Sequence, residues 1–458
     1  MVLTRKSLAF SGMFLAALSG FGASADAELR AGAARKSIVP PFPTQMGGFF
    51  DRDQTFTGVH SPIFARALVC DNGATRLAVV ATDLIGVSRE LVEKSRAAIA
   101  DKTDIPAENV MISAAHNHSG PSGFQRLNHY GGEFNEPLLD FLIQQITAAV
   151  VEAHANLTPA HVGSGAGQLE NFARNRQQNN ETVIDTEVAV LKVTRADSRD
   201  VIATLFNFTG HPVVLGSDNL LLCGEFPGQA QQTVEAVLGG VALFTQGACG
   251  DVTVHRSGPP FLEVERLGRA LAGEVITTAE MIRPTNDAVL FSKFQPVELE
   301  ARKLPSPEQA ERQLADAKQA HAKGKADGLT GRKLSRLGRD VGAAETTLRM
   351  AQFASRAATF FEAATHASVH VMQIGPMVLV GIPGELFVEF GLEMKQRTRQ
   401  MTGKSMMLVG YANAYIGYIV TPRAKATGGY EQSVARVNEH AGRTLTETAM
   451  QLVESFVE

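Results

Sequence analysis

Tryptophan is absent from this 458-residue chain, and only five tyrosines are present. That argues against an extended aromatic platform of the kind that stacks on sugar rings, although 25 phenylalanines are available for a core. Cysteine is scarce too. Cys70, Cys223 and Cys249 allow at most one intramolecular disulfide and leave a thiol over. A chain of this length does not need such staples, so buried free cysteines are expected, and nothing in the sequence supports a Cys223–Cys249 bridge. No basic block occurs and the formal charge is −4, which argues against a nucleic-acid partner. There is no internal repeat, no low-complexity tract and no Pro- or Gly-rich linker.

What is present begins with a leader. Arg5 and Lys6 precede a short apolar core from Leu8 to Phe21, and Ala23-Ser24-Ala25 offers a small-x-small cleavage site. Residues 1–25 read as a secretory signal peptide cut after Ala25 or Ala27. Its core is too short, and too broken by Gly and Ser, to span a bilayer. The mature chain is expected in the periplasm or secreted, with no transmembrane segment left.

Beyond the leader, strand-like and helix-like segments alternate. Strands are predicted at Arg66–Cys70, Arg76–Thr82, Val110–Ala115, Thr186–Val193, Val201–Phe208, Val241–Thr245, Val289–Glu298, Ser368–Ile374 and Met377–Gly381. Helices are predicted at Arg89–Ala100, Pro137–Ala155, Pro227–Val237, Leu262–Met281, Gly384–Arg399 and Ser433–Phe456. Several connections are hairpin-short, so the expected class is α/β with a mixed sheet flanked by helices. Residues 305–362 are rich in Ala, Lys, Arg, Glu and Gln and carry no strand signal; they read as a helical hairpin inserted into one domain spanning 30–458.

Chemistry concentrates at strand ends. Val110 to Ala115 runs into His116-Asn117-His118-Ser119-Gly120-Pro121. In a strand, residues two apart share a face, so both imidazoles would enter one site, as metal-assisted hydrolysis requires. His211 ends a second apolar strand, followed by Pro212. Gly250-Asp251-Val252-Thr253 is a small-residue turn carrying a carboxylate and a hydroxyl. Glu385 is expected in the first turn of a helix, where an acid also simply favours the helix dipole. Four of the five tyrosines fall between Tyr411 and Tyr430, a concentration that suggests a site.

These segments, in this order, resemble the neutral/alkaline non-lysosomal ceramidases, zinc amidases that split ceramide into a fatty acid and sphingosine. The carrying motifs are His116-Asn117-His118-Ser119-Gly120-Pro121, Asn207 through His211-Pro212, Gly250-Asp251-Val252-Thr253, Pro383-Gly384-Glu385-Leu386, Asn175-Arg176, and Tyr418 with Tyr430-Glu431. The resemblance implies zinc held by His116, His211, Glu385 and Tyr418. It implies catalytic or substrate-contacting roles for His118, Arg176, Tyr430 and Thr253. Two imidazoles and a carboxylate leave such an ion able to acidify bound water. His118 is then expected as general acid–base, and Arg176 or Tyr430 as an oxyanion donor.

Thr253 stands where the family has Ser; its extra methyl would crowd an attack, so water is the expected nucleophile. The chain ends after the last predicted helix, so the family's C-terminal β-sandwich is not expected in it. That leaves open N-acyl amino acids, lipopeptides or lactones as substrates in place of ceramide, and an inactive binding protein of the same fold as a further alternative. A TIM-barrel amidohydrolase also begins with His-x-His, but the eight βα repeats it needs are missing.

Overall fold

The computed structural model describes residues 28–49, 52–126, 132–177, 180, 182–354 and 364–456. The predicted leader and its cleavage sites, and positions 355–362 of the predicted hairpin, lie outside the described residues.

An eight-stranded sheet is built from β1 (Arg30–Ser37), β2 (Phe64–Asp71), β3 (Arg76–Thr82), β4 (Val110–Ala114), β5 (Thr158–Gln168), β6 (Glu187–Arg195), β7 (Val201–Phe208) and β8 (Val241–Gln246). Their spatial order is β8-β7-β6-β5-β1-β2-β3-β4. The pairs β3/β4 and β7/β8 are parallel and the others antiparallel, so the sheet is mixed. A second sheet follows the order β9 (Leu290–Glu298), β10 (His366–Ile374), β11 (Met377–Gly381) and β12 (Ser405–Val409).

The sheets are stacked. Leu68, Val79 and Met111 of the first meet Met372, Leu379 and Met407 of the second in one apolar cluster. The outer face of the large sheet is covered by helices α1 (Arg89–Lys102), α2 (Glu136–Ala155), α3 (Glu225–Leu238) and α4 (Pro260–Met281). Pro307–Ala326 (α5) and Gly331–Ala354 (α6) pack together between β9 and β10 in sequence. Val388–Thr402 (α7) and Ala441–Glu454 (α9) cover the second sheet, and the short Tyr430–Val434 (α8) lies against α6. Strands with helices on one face and a sheet on the other read as continuous apolar runs; Leu77 to Thr82 of β3 is buried throughout.

Three strands of the two sheets, β1, β5 and β12, carry too weak a signal to be predicted. Most telling is β5, where Gly163, Gly165 and Gly167 alternate on one face. A Cβ at Gly163 would stand 2.6 Å from the Ile282 side chain beyond α4, so these glycines permit close packing and erase the strand's apolar pattern.

Two predicted helices need correction. The one placed at Gly384–Arg399 starts only at Val388, because Glu385-Leu386 form a short strand parallel to Tyr418-Ile419. The one placed at Ser433–Phe456 is split: Val437 bridges Ala301 and the Arg302 amide donates to the Arg436 carbonyl at 2.7 Å, pulling that stretch out of helix.

Two positions mark constraints in this frame. Helix α2 lies so close on β1 that a Cβ at Gly32 would collide with the Ala153 carbonyl oxygen. Glu225 is wholly buried at a left-handed φ of 54°. Its carboxyl accepts from the amides of Val214 and Leu215 at 3.2 and 3.0 Å, tying down the loop that follows His211.

Gly32→Ala is expected to lower stability by about 1–3 kcal/mol, the usual cost of overpacking, in chemical denaturation. Burial pushes the Glu225 carboxyl from 4.5 up to about 8. The folded chain therefore binds a proton that the unfolded chain releases across this window, and stability falls as pH rises through it. Glu225→Gln keeps an accepting oxygen without titrating. Its melting temperature should gain on the wild type between about pH 5 and about pH 8; parallel profiles would refute the assignment.

Candidate metal centre

The site forms where strands from both sheets end. The large sheet curls so that its edge strands approach: Gln246, closing β8, donates to the Ala115 carbonyl beyond β4 at 3.2 Å. From the second sheet, the segments after β11 and β12 bring in Glu385 and Tyr418, paired in register.

His116 and His118 come together differently from the strand-face expectation. Strand β4 stops at Ala114, and His116 turns into the left-handed region at φ 64°. Asn117 holds that turn, donating to the carbonyls of Asp83 and Cys223 at 3.0 and 2.8 Å and accepting from the Ser119 amide at 2.8 Å. The two imidazoles stand edge to face, their centroids 4.8 Å apart and their Nε2 atoms 3.2 Å apart. Arg52 donates to the His118 carbonyl at 2.7 Å.

Backbone carbonyls decide the protonation pattern. Nδ1 of His116 is 2.8 Å from the Ile85 oxygen, and Nδ1 of His211 is 2.7 Å from the Cys249 oxygen. A carbonyl only accepts, so in each ring Nδ1 carries the proton and Nε2 keeps a lone pair. Burial drives the His116 pKa down to about 3 and those of His118 and His211 well below 6.5, so all three are neutral.

The Nε2 atoms of His116 and His211 lie 2.9 Å apart, and Glu385 Oε2 is 3.5 and 3.2 Å from them. That carboxylate oxygen is buried without a hydrogen-bond partner. Two lone pairs and an anionic oxygen therefore converge with no proton between them, an arrangement that a cation resolves. The ligand atoms of His116, His118 and His211 all lie within 4.8 Å of one another, so this buried histidine cluster can hold a metal ion.

The other predicted residues surround it. Tyr418 is buried beside Glu385, its phenol pushed well above 10 by burial and by that carboxylate. Arg176 donates to the Gly250 carbonyl at 2.5 Å and pairs with Glu431 at 3.1 Å. Burial opposes its charge, but Tyr418 and Glu431 hold its pKa above the ordinary guanidinium value. Tyr430 is half exposed, its ring 6.0 Å from that of Tyr418. Thr253 is buried on a short strand (Val252–Val254), bridged to His211.

Residues outside the predicted ligands and catalytic groups complete the site. Asp251 accepts from the Val388 amide at 2.8 Å and from Asn175 at 2.7 Å, joining the segments that carry Arg176 and Glu385. Tyr415 donates to Glu385 Oε1, and Tyr411 stacks on His116. The tyrosine clustering hinted at both.

A serine–histidine contact away from this site lacks the arrangement of a nucleophile with its base. Ser292 Oγ is 3.0 Å from His370 Nε2, with Asn413 Nδ2 3.1 Å from Nδ1. Asn413 Oδ1 already accepts from the Ile112 amide at 3.0 Å, so its amide nitrogen must donate to Nδ1. In the neutral ring Nε2 then carries the hydrogen and cannot take one from Ser292. All three cysteines are buried and free.

Comparison with known proteins agrees with this architecture. The sequence profile of the neutral/alkaline non-lysosomal ceramidases, N-terminal part, matches residues 31–262. A neutral ceramidase of Mycobacterium tuberculosis is 23% identical over 477 aligned positions, covering 90% of this chain and 74% of that protein. One from Pseudomonas aeruginosa is 26% identical, covering 84% and 66%. The crystal structure of the Pseudomonas aeruginosa neutral ceramidase superposes with a TM-score of 0.73 at 22% identity, over 94% of this chain and 75% of that one, and so shares its fold. This chain is a member of the neutral/alkaline non-lysosomal ceramidase family.

Proposed function

We propose that the chain is an exported, zinc-dependent hydrolase of the amide bond in ceramide-like N-acyl lipids. The observation that carries this is the meeting of two neutral imidazole lone pairs with an unpartnered carboxylate oxygen at the strand ends. His116, His211 and Glu385 would hold the ion, with Tyr418 completing the set. Two nitrogens and oxygen donors suit zinc. When bound, zinc would supply a Lewis acid for the acyl carbonyl and lower the pKa of water towards ~7.

The protein's own groups have distinct tasks around it. His118, with Nε2 3.2 Å from that of His116, moves a proton between the attacking water and the leaving amine. Arg176 stays charged beside Tyr418 and stabilises negative charge on the acyl oxygen. Tyr430, half exposed, lies at the rim where substrate enters. Thr253, buried on its short strand, contributes a hydrogen bond and does not attack, because the methyl beside its hydroxyl crowds the approach.

The direct test is hydrolysis of ceramide compared with that of N-acyl amino acids, lipopeptides and lactones, before and after chelation. Ceramide cleavage that chelation abolishes and zinc restores is expected. Preference for another substrate in the panel would move the specificity, and turnover indifferent to chelation would refute zinc dependence. His118→Ala should keep about one zinc per chain yet lose ~10²–10⁴-fold in rate, the range for a general acid–base group. Loss of zinc from that variant would make His118 a ligand instead.

A further inference from the structure

We infer that Tyr415 is a positioning residue that fixes how Glu385 meets a metal ion, an inference that rests on the metal-binding role proposed above. The phenol donates to Glu385 Oε1, leaving Oε2 as the oxygen turned towards Nε2 of His211 at 3.2 Å and of His116 at 3.5 Å. A carboxylate with one oxygen engaged by a donor offers the other alone. Without that donor both oxygens are free, and the group can swing to bind through two.

The surroundings keep the phenol where this works. Backbone hydrogen bonds zip the two segments together: the Ile416 amide donates to the Pro383 carbonyl at 2.8 Å and the Glu385 amide to the Gly417 carbonyl at 3.0 Å. The Tyr415 ring meets the Arg436 guanidinium, 5.2 Å from its centroid, and the ring of Tyr411, parallel within 7° at 6.3 Å. Tyr411 in turn stacks on His116 at 4.2 Å, and its hydroxyl lies 3.1 Å from Cys249 Sγ. Cys249 is also the residue whose carbonyl accepts from His211 Nδ1. One aromatic column thus reaches three proposed metal-binding side chains: through the phenol to Glu385, by stacking to His116, and through Cys249 to His211.

Tyr415→Phe removes the donor and retains the ring. Zinc affinity, measured by competition with a chromophoric chelator, should weaken ~10–100-fold, as for loss of a hydrogen bond that orients a ligand. The visible spectrum of the cobalt(II) form should lose intensity as a second carboxylate oxygen joins the shell. The thermal transition of the metal-free variant reports whether the fold is intact. Ser292→Ala is the control, since its hydroxyl meets His370 away from the metal centre and its removal should leave the cobalt spectrum unchanged. Wild-type affinity and spectrum in Tyr415→Phe, or equal changes in both variants, would overturn the inference. A wild-type chain that binds neither zinc nor cobalt would instead overturn the metal site itself.

Discussion

Two backbone carbonyls set the character of this site. By accepting from Nδ1 of His116 and His211, the oxygens of Ile85 and Cys249 oblige both rings to present unprotonated Nε2 atoms towards each other. In a buried site those lone pairs cannot turn to water, and protonation is suppressed by the same burial. Glu385 adds negative charge where repulsion is already greatest. A ring free to rotate or exchange tautomers would relieve the conflict with a hydrogen bond; these rings are held so that it persists.

Much of the fold serves that arrangement. His116 depends on a left-handed turn clamped by Asn117, and His211 on a loop held through Glu225. Glu385 reaches the histidines only because the second sheet is stacked on the first and a two-residue strand pairs it with Tyr418. Asp251 joins the polypeptide on both sides of the site. The proposed metal site is thus built on strand ends and turns whose backbone is hydrogen-bonded, which keeps donors in place at little further entropic cost.

The sequence made the α/β class and most central strands legible, since β3, β7 and β11 are apolar runs bounded by turns. It concealed β5, whose alternating glycines exist for the close approach of α4. The histidines, Glu385, Tyr418 and Arg176 could be named from motifs, and they do lie together. The physical grounds offered for two of them were mistaken: a left-handed turn, not a strand face, brings His118 beside His116, and Glu385 lies on a short strand, not in a helical turn. A pairing of two residues is below the length at which periodicity shows. Tyr415 was visible only as part of a tyrosine cluster, because its bond to Glu385 depends on how two distant segments zip together.

The claim on which all of this depends is that Nε2 of His116, Nε2 of His211 and a single oxygen of Glu385 share one ion. X-ray absorption at the zinc edge of the zinc-loaded protein tests it most directly. The account predicts a shell of nitrogen and oxygen at ~2.0–2.1 Å, with the outer-shell scattering of imidazole rings. Sulfur at ~2.3 Å, or an all-oxygen shell without imidazole scattering, would contradict it.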